Sequence, residues 1–190
     1  TTPEEGFNLF IRERGTESAD STIQSYKYRL NHFVRWCDQV NNIDNLNNLS
    51  GRDLHRYKLW RKDDGDLNQV SLKTQMDTLR VFIRFLESID AVEADLHSAI
   101  KSPTLSNGIS QREIKLDPEE ANKLIDYLTR YEYATFAHTL ILLLWQTGLR
   151  MGSVRALDID DFDPNNEHVA VRHRPDTDTP LKNKQNGERL

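Results

Sequence analysis

The tetrapeptide Thr147-Gly148-Leu149-Arg150 places a guanidinium just after a glycine that can end a helix. A guanidinium keeps its charge at physiological pH, and its planar fork binds two oxygens at once, which suits carboxylates and phosphates alike. Two partners are therefore open for Arg150: the nearby acids at 158–163, or an oxyanion from outside the chain. The acidic run Asp158, Asp160, Asp161, Asp163 invites a metal reading. A calcium loop counted from Asp158 needs an oxygen ligand at 162, Gly at 163 and Glu at 169, where the chain has Phe162, Asp163 and Val169. His138, His168 and His173 show no ligand spacing and read as ordinary polar residues, so no metal site is expected. Lys182 and Lys184 lie in the polar run Leu181–Arg189, which reads as a hairpin turn; exposed lysines are common there.

Two helical faces carry a second kind of chemistry. Lys73, Arg80 and Arg84 recur at seven and four residues, away from an apolar stripe. On another helix Gln24, Lys27, Tyr28, Asn31 and Arg35 form the face opposite the core. Most such patches are simply solvated; a row of cations also suits a polyanion. The formal net charge of −5 argues against a nucleic-acid partner at first sight. Its distribution weakens that argument. Residues 1–112 hold 15 Lys and Arg against 16 Asp and Glu, whereas 113–190 hold 10 against 14. A nearly neutral segment can still present one basic face.

The elements that must position these groups follow from periodicity. Ile23, Tyr26, Leu30, Phe33, Val34, Cys37 and Val40 repeat at three and four residues, predicting an amphipathic helix capped by Asp20 or Ser21. Ser50 caps a shorter helix with Leu54, Tyr57 and Trp60. A third starts at Ser71 and carries Leu72, Met76, Leu79, Phe82, Ile83, Leu86 and Ile89. A weaker one spans Pro3 to Arg14. Lys101–Gln111, with Pro, Gly and three Ser, reads as a linker. Asp117-Pro118-Glu119-Glu120 opens another helix. The segment from Tyr133 to Gln146, apolar nearly all round, should be buried. His168–Arg172 reads as a strand, and the chain reaches Leu190 inside its return partner. No apolar run approaches the ~20 residues a membrane span needs. Cys37 is the only cysteine, which fits a reducing, cytoplasmic setting. The acid content and the excess of Arg over Lys suit a salt-adapted, halophilic source such as an archaeon or its virus.

Thr147–Asp163, reading TGLRMGSVRALDIDDFD, resembles the signature around the first catalytic arginine of the tyrosine recombinases, the phage-integrase family. Arg150, Leu157 and Asp161-Phe162-Asp163 fall at that pattern's separations. Residues 20–90, with a Ser/Thr-rich opening before Tyr26 and a helix ending in Arg84-Phe85-Leu86, resemble the family's SAM-like core-binding domain. One position departs: the family usually has Glu three residues after the arginine, and Ser153 stands there. Asp161 is then the candidate to hold Arg150.

The resemblance implies a mainly α fold: a core-binding helical bundle over 1–100, a linker over 101–111, and over 112–190 the truncated start of an α+β catalytic domain with a short β-hairpin. The two would clamp opposite sides of double-stranded DNA, alongside other recombinase protomers. It implies phosphodiester breakage by a tyrosine, with Arg150 stabilising charge on the non-bridging oxygens. Lys184, or failing it Lys182, would act as general acid for the leaving oxygen. Such chemistry needs no cofactor. Lys27, Arg35, Lys73, Arg80 and Arg84 become candidate DNA contacts, and the DNA-bound protein would be nucleoid-associated. The family's later His, Arg and nucleophilic Tyr follow the hairpin, and all six tyrosines here precede Arg150. The segment is therefore expected to be an N-terminal fragment that does not cleave DNA alone. The competing expectations are a non-catalytic DNA-binding or adaptor protein, and a plain helical interaction module.

Overall fold

In the computed structural model the chain forms two compact units, Thr1–Arg112 and Glu113–Leu190. The described residues are 1–105 and 116–189, without the side chain of Lys184. Of the expected linker, residues 106–111 lie outside them; Lys101–Leu105 carry no helix or strand.

The first unit is built from α1 (Pro3–Gly15), α2 (Asp20–Gln39), α3 (Gly51–Asp64) and α4 (Gln69–Ser88), with short 3-10 turns at Leu46–Asn48 and Leu96–Ala99. Its helix starts are chemically marked. Thr2 and Glu5 cap α1 reciprocally, Ser50 and Asp53 do the same for α3, and Asn68 accepts from the Ser71 N–H to cap α4. The α4 start therefore lies earlier than Ser71, because Asn68 provides the better cap. Helix α2 corrects the expected cap as well: Ala19 holds that position without a side-chain bond, and Asp20 is the first helical residue. There its carboxylate still faces the positive helix end.

The stripes of α2 and α4 meet in one aromatic-rich core. Phe10 from α1 packs edge-on against Tyr26, Phe82 and Phe85 at ring separations of 5.2, 5.4 and 5.4 Å. Phe33 meets Tyr57 of α3 at 5.2 Å. Trp36, absent from the expected stripe, is buried, while Val40 is exposed. The 3-10 turn Leu96–Ala99 closes one side of this core with Leu96 and Ile100.

The second unit contains α5 (Pro118–Tyr131), α6 (Phe136–Thr147), α7 (Met151–Arg155) and a two-stranded antiparallel sheet, β1 (Phe162–Asp163) with β2 (His168–Val169). The fold is thus mainly helical, a bundle followed by an α+β segment. Two expectations are corrected here. Helix α6 is not buried: among its residues only His138 is, and Phe136 is 82% exposed. Helix α5 covers one side of it, and among the described residues little else packs on the rest. The regular sheet also forms around the turn 164–167, not around Lys184. The segments 171–174 and 179–189 meet only through isolated bridges, Val171 with Arg189 and Arg174 with Thr179. No described helix is long and apolar enough to cross a membrane.

Candidate functional site

Helix α6 ends because Gly148 adopts φ +61°, a left-handed conformation that a side chain would strain. Thr147 Oγ1 donates to Leu143 O and accepts from the Leu149 N–H, so the chain turns sharply over two residues. Arg150 then caps α7, its carbonyl accepting from the Ser153 and Val154 N–H groups. Its side chain is exposed and makes no ion pair or side-chain hydrogen bond among the described residues. It faces a cavity of about 350 Å³ whose other wall is the 181–189 segment, including Leu181, Lys182, Asn186 and Glu188. Arg150, Ser153 and Lys182 thus share one space. The backbone of Lys184 begins a 3-10 turn, Lys184–Gly187, on that same segment; its side chain lies outside the described residues.

Asp161 does not brace Arg150, contrary to expectation. Both its oxygens are taken: Arg174 binds them two-pronged at 2.6 Å each, Arg172 Nη1 adds a bond at 3.0 Å, and the Asp158 N–H donates at 2.8 Å. The Arg174 bonds, the Asp158 N–H and the positive charges of both arginines hold this carboxyl below the usual range, against the opposing effect of burial. Neither arginine stood out in the sequence, since a pairing across thirteen residues and a turn has no periodic signal. Among the described residues no group of three or more His, Cys, Asp or Glu is arranged to hold a metal.

In the first unit the expected cationic row divides into held and free members. Lys73 Nζ lies 2.6 Å from Asp77 Oδ2 and Arg80 Nη1 2.8 Å from Asp77 Oδ1. Arg80 Nη2 also donates to Ile100 O at 2.8 Å and to Ser102 Oγ at 2.9 Å, and Ser102 donates to Asp77. This network ties the chain after the 3-10 turn onto α4. Burial would raise the Asp77 pKa, but the bonds from Lys73, Ser102 and Arg80 outweigh it and hold the carboxyl low. Arg84 is exposed and Lys27 half-buried, and neither has an ion-pair partner among the described residues. Arg35 pairs with Asp64 at 2.5 Å and lies over the Trp60 ring at 5.1 Å.

Sequence reasoning missed Arg61. It is only 3% exposed, 3.6 Å from Asp64, with Nε and Nη1 unbonded. Its signal was its place four residues after Tyr57 on the buried side of α3. His32 lies beside it. Burial, then the charges of Arg61 and Arg35, lower the His32 pKa, and Asp64 offsets part of that.

Comparisons with known proteins show the family and the fold. The family described as "Phage integrase, N-terminal SAM-like domain" matches residues 8–88. The solved N-terminal domain of a phage integrase/site-specific recombinase from Haloarcula marismortui is 32% identical, with a TM-score of 0.51, covering 54% of this chain and 96% of that one. Tyrosine recombinase XerD of Oceanobacillus iheyensis is 24% identical over 161 residues, 83% of this chain and 52% of its own. The Tn1549 transposon integrase, solved in complex with a circular intermediate DNA, shares the fold at 17% identity and a TM-score of 0.67, over 91% of this chain and 53% of that one. The chain belongs to the tyrosine recombinase (phage integrase) family. It spans about half the length of the curated relatives it matches.

Proposed function

We propose that this chain is the DNA-binding and arginine-bearing part of a site-specific recombinase that breaks and rejoins phosphodiesters in duplex DNA. The single observation that carries the reading is the position of Arg150. It stands without an ion-pair partner among the described residues at the start of α7, facing a cavity lined on its far side by the Lys182 segment. A fork free of internal partners is available for two phosphate oxygens. In the reaction a tyrosine hydroxyl gives up its proton to water as its oxygen bonds to phosphorus, the bond to the leaving oxygen breaks, and that oxygen takes a proton. Arg150 stabilises the charge on the non-bridging oxygens, and Lys184, or Lys182 in its place, gives the proton. The core-binding role belongs to residues 1–100, the linker to 101–111, and the catalytic segment to 112–190. The partners are double-stranded DNA and further recombinase protomers, in the cytoplasm on the nucleoid.

Arg84 and Lys27 are the cations best placed for phosphates, with Arg35 supplementing them. Lys73 and Arg80 contribute less directly, since both are held by Asp77, which cancels one of their two charges. One observation favours a second reading, a non-catalytic DNA-binding adaptor: Ser153 replaces the usual glutamate and Asp161 is fully engaged elsewhere.

The test is suicide-substrate cleavage by the longer recombinase carrying this segment. Arg150→Lys keeps the charge but loses the fork, so cleavage should slow on the order of a hundredfold while binding of the same DNA stays near normal. Cleavage at the parental rate removes Arg150 from the chemistry.

A further inference from the structure

Helix α7 is five residues long, and one turn of helix has no stability of its own. The orientation of Arg150, which caps its first turn, therefore depends on what anchors α7. At the far end, Arg174 Nη1 donates at 2.8 Å to the carbonyl of Ala156, the residue that caps the helix C-terminus. The same guanidinium grips Asp161, whose side chain is 0% exposed. Asp161 in turn accepts from the Asp158 N–H, and its own carbonyl accepts from the Ala170 N–H, so the turn after α7 is fixed from both sides. The backbone of Arg174 is tied just ahead of the opposite wall: its carbonyl accepts from the N–H of Thr179, two residues before Leu181. One residue earlier, His173 accepts from the Leu181 N–H through Nδ1, and its own N–H donates to Glu188. Arg174 is thus bonded through its side chain to the C-terminal cap of the short helix that begins at Arg150, while its neighbour His173 is bonded to the segment carrying Lys182.

We propose that Arg174 is the positioning residue for Arg150, setting the width of the cavity between α7 and the 181–189 segment and replacing the bracing that Ser153 is too short to provide. This rests on the reading of Arg150 as the phosphate-binding group. Arg172 gives an internal control. It bonds the same carboxylate at 3.0 Å but is exposed and has no bond to α7. A positioning role predicts that the two arginines differ, whereas generic support of Asp161 predicts that they act alike.

The experiment uses the whole 190-residue chain, with hydrogen exchange at the α7 amides of Ser153 and Val154 and NMR relaxation of the Arg150 Nε–H. Arg174→Met should speed exchange at least about tenfold and increase Arg150 motion, because fewer contacts hold the turn closed. Arg174→Lys should fall between, since an ammonium cannot make the fork and also reach Ala156 O. Arg172→Met should leave both readouts unchanged. Equal behaviour of Arg174→Met and Arg172→Met overturns the proposal. Should Arg174→Met unfold the second unit, Arg174→Lys decides: a folded variant with parental exchange and parental Arg150 motion overturns it equally. A parallel cleavage assay on the longer protein separates this from the function itself. If Arg150→Ala cleaves normally, the phosphate role of Arg150 falls while the ordering of Arg150 by Arg174 is still measured.

Discussion

Replacing Arg80 and Arg84 by alanine, one at a time, should have opposite consequences although both lie on the same helix. Arg80 is 27% exposed and serves three acceptors, Asp77, Ile100 O and Ser102 Oγ, at 2.8 to 2.9 Å. A hydrogen bond to a charged group contributes about 1.5–3 kcal/mol when shielded and much less when solvent reaches it. Asp77 is half-exposed and keeps Lys73 and Ser102 in the variant. Arg80→Ala should therefore cost about 1–2 kcal/mol, most of it from the unmet Ile100 carbonyl and the loosened 100–102 segment. For a unit of this size that lowers Tm by about 5–10 °C. Arg84→Ala removes an exposed side chain with no ion-pair partner among the described residues, so stability should move by less than about 0.5 kcal/mol. It should instead lower the slope of log affinity for duplex DNA against log salt by about one. The assays are thermal unfolding followed by near-UV circular dichroism, and anisotropy titrations at several salt concentrations. If Arg80→Ala leaves Tm within a degree and flattens the salt slope as Arg84→Ala does, the Asp77 network does not hold Arg80 in solution.

Two further outcomes follow from the same bundle. His32 has a lowered pKa in the fold, through burial first and then through Arg61 and Arg35, with Asp64 opposing. The unfolded chain then binds more protons, so stability is full above the ordinary value of 6.5 and declines as pH falls below it. Urea unfolding at pH 7.5 and about pH 5 should show this loss, and His32→Gln should reduce it; an unchanged loss removes His32 as its source. Phe10→Ala deletes a fully buried ring with three edge-on aromatic neighbours, which should cost about 3–5 kcal/mol in urea unfolding. A cost below about 1 kcal/mol would mean that α1 does not pack as described.

The parts of this fold legible in the sequence were those with a local period. Helices α2 and α4 repeat their apolar residues over twenty positions each, and their stripes meet in the observed core. The Gly148 stop and the position of Arg150 at the start of α7 followed from a single left-handed residue. Trp36 was overlooked because Val34 and Val40 also fit a helical period, and only packing against Tyr57 decides among them. The held state of Lys73 and Arg80 was half visible, since Asp77 lies four residues after one and three before the other. Ser102 and Ile100 complete that network from twenty or more residues away, beyond any periodic signal. The apolar composition of α6 promised burial, but composition does not say which element covers a face. The Arg174–Asp161 pairing could not be read from the sequence for the same reason that the hairpin was misplaced. The polar run 172–187 has no alternation from which to set a register, and its contacts are made by side chains and isolated bridges.

The central claim is that this chain holds duplex DNA through phosphates on its first unit. The most direct measurement is the affinity of the 190-residue chain for a labelled duplex of unrelated sequence, by anisotropy, across rising salt. The account predicts weak binding whose logarithm falls linearly with log salt, by about 0.9 for each phosphate neutralised, and a smaller slope in the Arg84→Ala, Lys27→Ala double variant. Binding that is absent at low salt, or that ignores salt and both substitutions, would contradict it.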